Sequence, residues 1–155
     1  MAYSLSFETT LPVPADEAWR WVTSVAGIAR EMAPYLSMSV PPRVTDLGSL
    51  QVKPGERLFR SWIKLFGVLP IDYSELTLLE LSPGGGFVEQ SPMGSMKLWR
   101  HERRVTGDGR ACTVRDELTF EPRFAGPLVR RIVRAFFTHR HRMLARHLGR
   151  RLSPA

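Results

Sequence analysis

The chain has 155 residues, 43% of them hydrophobic, and carries 22 Lys and Arg against 15 Asp and Glu, a net charge of +7. That is the size of one ordinary domain with a core of its own, so residues 1–155 are expected to form a single domain. No apolar run approaches the roughly 18 to 20 residues of a membrane span, and Met1-Ala-Tyr-Ser-Leu5 lacks the basic, apolar, small-residue order of a signal peptide, so a cytoplasmic location is expected.

Tyr3, Leu5, Phe7 and Leu11 alternate with Ser4, Ser6, Glu8 and Thr10, which predicts a strand with one buried face. Pro12-Val-Pro-Ala-Asp-Glu-Ala-Trp19 then starts a helix, with Asp16 and Glu17 near its positive end. Gly27 is expected to end or break it, and Ile28 to Tyr35 to form a second short helix. Strands are predicted over 36–40, 44–52, 58–66, 71–81 and 87–91, separated by proline and glycine turns.

A hairpin over Lys97 to Phe120 closes the strand series, and a largely antiparallel sheet of six or seven strands is expected from these segments. Asp108-Gly109 suits a two-residue type I′ turn, which sets Arg100 opposite Glu117 and Glu102 opposite Arg115 on a solvent face. The inner face then pairs Trp99 with Leu118, His101 with Asp116, Arg103 with Val114, and Val105 with Cys112. Polar groups on such a face must find partners or line something wet. Two readings follow: a satisfied His101/Asp116 pair holding two strands together, or a polar cluster at the wall of a ligand cavity. Cys112, the single cysteine, is read as core.

From Gly126-Pro127 the pattern Leu128, Val129, Ile132, Val133, Phe136, Phe137, Met143, Leu144, Leu148 has helical period and predicts a long final helix. Arg140 and His147 project into its apolar arc, so the Arg140 guanidinium must snorkel, pair or meet a ligand. His141 is placed on the polar side with the exposed arginines. Residues 123–155 hold nine Arg and no acid, a segment suited to an acidic carrier protein or an anionic membrane surface. Nucleic acid is not expected, because exposed aromatics for stacking are few. No cofactor is expected either, and His139, His141 and His147 lack metal-ligand spacing.

Phe7-Glu-Thr-Thr-Leu-Pro-Val-Pro-Ala-Asp-Glu-Ala-Trp19, Trp99-Arg-His101 with Asp116-Glu-Leu-Thr-Phe-Glu-Pro122, and Phe137-Thr-His-Arg-His141, in that order, resemble the START-like superfamily, also called SRPBCC. The resemblance implies an α+β helix-grip fold, a curved antiparallel sheet gripping a long C-terminal helix, with two short helices after the first strand. It also implies a cavity for a hydrophobic small molecule such as a lipid, quinone, polyketide or aromatic. Tyr73, Trp99 and Phe136 are the expected apolar contacts, and His101, Arg103, Asp116 and Arg140 the orienting groups. The alternative is an enzyme of the polyketide cyclase, aromatase or dehydratase type, with His101 and Asp116 as candidate catalytic residues.

Overall fold

The alternation at the start of the chain is realised as β1 (Tyr3–Leu11), with Leu5 and Leu11 buried and Ser4, Ser6 and Glu8 exposed. The computed structural model describes residues 2–48 and 50–149. After β1 come α1 (Ala15–Thr23), α2 (Val25–Met32), β2 (Leu36–Met38), β3 (Arg57–Leu65), β4 (Leu69–Ser82), β5 (Gly86–Gln90), β6 (Met96–Gly107), β7 (Cys112–Pro122) and α3 (Gly126–Leu148). The strands form one antiparallel seven-stranded sheet in the order β1-β7-β6-β5-β4-β3-β2. The sheet curls around α3, with α1 and α2 beside it, and this is the helix-grip fold.

The break between the two short helices falls at Ser24, earlier than expected. Ser24 is extended, and its side-chain oxygen accepts from the Gly27 N–H, starting a new helix in place of continuing the old one. Gly27 therefore lies inside α2. A Cβ there would sit 2.2 Å from the Trp21 carbonyl oxygen, so the two helices meet this closely only because the position is glycine.

Among the described residues of 44–52, the expected strand is not formed. The chain is tied instead to the α1/α2 junction: Val25 N–H donates to the Thr45 carbonyl, Leu47 N–H to the Thr23 carbonyl, and Asp46 makes one isolated bridge with Ser24. These bonds satisfy the backbone without a neighbouring strand.

The hairpin between β6 and β7 also departs from expectation. Asp108 opens the turn, its Oδ1 accepting from the N–H groups of Arg110 and Ala111 while its own N–H donates to the Ala111 carbonyl. The central residues are thus Gly109 and Arg110, one position later than a type I′ turn on Asp108-Gly109 requires. Every cross-strand partner moves by two: Trp99 faces Phe120, His101 faces Leu118, Arg103 faces Asp116, Val105 faces Val114. A shift of two preserves which face is which, so the inner residues stay inner. On the outer face Glu102 now opposes Glu117 and Arg104 opposes Arg115. The charges are resolved sideways, Arg104 to Glu102 and Glu80, Arg115 to Glu117 and Glu8.

The buried stripe of α3 is Val133, Phe137, Arg140, His141, Leu144 and Leu148. This is narrower than the arc read from the pattern. Leu128 and Ile132 remain 58% and 57% exposed, while His141, expected on the polar side, is buried. Cys112 is buried, and no described helix is long and apolar enough to cross a membrane.

Candidate functional site

Two apolar clusters fill the space between sheet and helix, and a layer of charge separates them. Leu11, Val105, Val114 and Leu144 belong to one cluster. Leu5, Leu118, Phe120 and Phe137 belong to the other. In the gap on each element stand His101 and Arg103 of β6, Asp116 of β7, and Arg140 and His141 of α3. Strand period two and helix period 3.6 bring these positions to one level.

Asp116 is the centre of the layer and has no exposure. Its Oδ1 accepts from His101 Nε2 and Arg103 Nε, and its Oδ2 from Arg103 Nη2 and His141 Nε2, all four at 2.7 Å. A carboxylate offers about four lone-pair sites, so this one is fully engaged. Arg103, also without exposure, turns its other edge to Glu31 of α2, at 3.0 Å (Nη2 to Oε1) and 3.2 Å (Nη1 to Oε2). Arg140 Nε donates to the same Glu31 at 3.3 Å, and its guanidinium lies 4.9 Å from the Phe137 ring centroid. His141 is completed by Thr9 at 2.7 Å on Nδ1. Glu89 of β5 approaches His101 Nδ1 at 3.7 Å and holds Ser91.

Burial by itself raises the Asp116 carboxyl, but the charges of Arg103 and His101 and their hydrogen bonds overturn this and hold it well below the usual carboxylate range. Burial lowers His101, yet Asp116 and Glu89 outweigh it and the imidazole is raised. Burial pushes the Arg140 guanidinium down, against the pull of Glu31. Three carboxyl groups facing two guanidinium groups leave room for one more positive charge, and His101 is placed to supply it.

Of the residues singled out from the sequence, His101, Arg103, Asp116 and Arg140 meet in this layer. Trp99 lies beside it, packed on Phe120 and Phe137, and Phe136 packs against Phe137. Tyr73 is not brought there. It lines a separate surface groove of about 350 Å³ with Trp62, Ile71 and Phe124. Glu31, Glu89, His141 and Phe137 were not anticipated as site residues. Glu31 could have been suspected as the one acid of the mostly apolar α2, beside Arg30, but its partner Arg103 stands 72 positions away. Among the described residues, no group of three or more His, Cys, Asp or Glu is placed to hold a metal ion.

α2 also covers an apolar recess of about 80 Å³ bounded by Val25, Ile28, Met32, Met38, Phe59 and Leu76, with no residue of the charged layer in its lining. Met32 forms part of its wall, and the preceding residue, Glu31, is in the ion network.

The sequence profile described as "Domain of unknown function (DUF8410)" matches residues 9–148. No functionally curated protein matches. Among solved structures, the Zhui aromatase/cyclase from a Streptomyces species superposes with a TM-score of 0.71 at 13% identity, covering 99% of this chain and 97% of that one. Protein CV1439 from Chromobacterium violaceum gives 0.71 at 12% identity, covering 94% and 97%. A START superfamily protein from Mycobacterium smegmatis gives 0.66 at 9% identity, covering 94% and 96%. These likenesses fix the fold as START-like.

Proposed function

This chain belongs to the DUF8410 family, and from its START-like fold we propose that it is a single ligand-binding domain for a hydrophobic small molecule, of the lipid, quinone, polyketide or aromatic kind. The observation that carries the reading is the apolar recess, walled by Met32 and Leu76, beneath α2, the same short helix whose Glu31 enters the buried ion network. An apolar wall beside a few converging polar groups is the composition of a small-molecule site. Its volume of about 80 Å³ falls short of the roughly 300 to 1,000 Å³ of ligand pockets, so occupancy requires α2 and the segment after β2 to move outward. None of Trp99, Phe136, His101, Arg103, Asp116 and Arg140 lines the recess as it stands, so Trp99 and Phe136 act as apolar contacts and the four polar residues as orienting groups only once the recess has opened. Tyr73 is left out because it lines another groove.

The cyclase, aromatase or dehydratase reading rests on the 2.7 Å His101 to Asp116 contact. The geometry favours binding over it: all four Asp116 acceptor sites are taken, and both His101 nitrogens face carboxylates, so neither is directed at a free proton donor or acceptor.

Native mass spectrometry of the purified protein, followed by organic extraction, tests the proposal. A copurifying apolar compound is expected, and a ligand at a hundred times its Kd should add about 2.7 kcal/mol of stability. Met32→Trp, which fills the recess, should abolish that gain. Protein that carries nothing and is stabilised by no member of an apolar panel would refute it. Turnover of a polyketide chain lost in His101→Gln would instead establish the enzymatic reading.

A further inference from the structure

Leu128 and Ile132 lie on the solvent side of α3, and Phe124 just before it is 69% exposed. At the β3/β4 turn, Phe66 (62%), Val68 (79%), Leu69 (56%) and Ile71 (51%) are also turned outward. The β3/β4 tip is anchored on α3 at one end and meets Phe124 at the other. Phe66 N–H donates to the Tyr35 carbonyl, and the Tyr35 ring meets His139 of α3 edge-on at 4.8 Å. At the other end Ile71 and Trp62 share a groove with Phe124. Single exposed apolar residues are ordinary, whereas a connected set marks a contact surface.

The surface is rimmed by cations. Arg123, Arg131 and Arg134 are exposed around Leu128 and Ile132. Lys64 stands near the tip, Arg57 and Arg60 of β3 are paired with Glu75, and residues 123–149 contain no acid at all. Asp72 at the groove is held by the Ser95 N–H and hydroxyl.

We propose that this face, the β3/β4 tip together with the first turns of α3, docks on an anionic lipid bilayer. A projecting tip of aliphatic and aromatic side chains with arginines beside it suits a soft apolar phase under an anionic surface. A second copy across a two-fold axis would set arginine against arginine. The surface is distinct from the ligand recess and stands without it, although it would offer an apolar ligand a route between membrane and protein.

The test is co-sedimentation of the full chain with vesicles of phosphatidylglycerol and phosphatidylcholine, against pure phosphatidylcholine. Binding to the anionic vesicles only is expected, weakening with salt. Val68→Asp with Leu69→Asp should lower partition by at least about tenfold, and Arg131→Gln with Arg134→Gln by roughly twenty-five-fold, at about fivefold per cation. Arg115→Gln, on the outer face of β7, should leave it unchanged. These variants alter exposed side chains, and an unchanged thermal midpoint confirms that folding is intact. Equal partition to neutral and anionic vesicles, or retention of binding by Val68→Asp with Leu69→Asp, overturns the proposal. So does a concentration-dependent dimer that those two substitutions abolish, which would give the face to a second copy.

Discussion

Asp116→Asn puts the charged layer to its most direct test. The substitution keeps the size of the side chain but removes the charge and half the acceptor capacity from a site where four donors converge and no water reaches. Arg103 then faces Glu31 alone, and Glu31 is shared with Arg140. Removing one partner of a buried ion pair costs about 3 to 5 kcal/mol, because the remaining charge stays buried without compensation. At roughly 2 to 4 °C per kcal/mol for a chain of this size, the thermal midpoint should fall by about 6 to 20 °C. Thermal and urea unfolding followed by circular dichroism read this out, with Arg115→Gln, a surface pair, as the comparison that should hardly move. Joint replacement of Glu31 and Arg103 by Met should cost less than the sum of the two single changes, since the two paired charges leave together. If Asp116→Asn shifted the midpoint no more than Arg115→Gln, the layer would not be the charged, dry network described here.

The raised His101 stabilises the fold in its charged form, so its contribution is complete below about pH 6.5 and is lost as pH rises through the higher folded value. Urea midpoints measured from pH 6 to 9 should decline, and His101→Gln should flatten that slope. Asp116, depressed in the fold, acts at the other end: its contribution is present above about pH 4 and disappears as pH falls through the folded value. Leu144→Ala, at a position with no exposure in the first apolar cluster, should cost about 2 to 5 kcal/mol in urea unfolding. Gly27→Ala should destabilise, although Ala in place of Gly inside a helix normally gains about 1 kcal/mol, because the new Cβ meets the Trp21 carbonyl. A higher midpoint for Gly27→Ala would mean that the two helices can separate freely.

The order of elements was legible because it is written in local periods. Alternation at Tyr3 to Leu11 and along both arms of the central hairpin gives strands with defined faces, and the 3.6-residue repeat after Pro127 gives the long helix. The same periods placed His101, Arg103 and Asp116 on the inner face and Arg140 in the apolar arc, so four of the seven charged-layer residues could be named in advance. Which residue met which could not. The partner shift by two was decided by the Asp108 carboxylate, which prefers to cap the turn from its first position, and the faces survived only because the shift was even. The roles of Glu31, Glu89 and His141 came entirely from packing: an isolated acid on a short helix acquires meaning only when the sheet curls far enough to bring Arg103 beneath it. Leu128 and Ile132 show the reverse. Their spacing was that of a buried stripe, but α3 is turned to bury Arg140 and His141 against Glu31 and Asp116, leaving those two side chains outside. Local periodicity depends on the backbone alone and so reads directly from the sequence. The rotation of the helix depends on which charges must be neutralised in the interior, and only the assembled structure sets that.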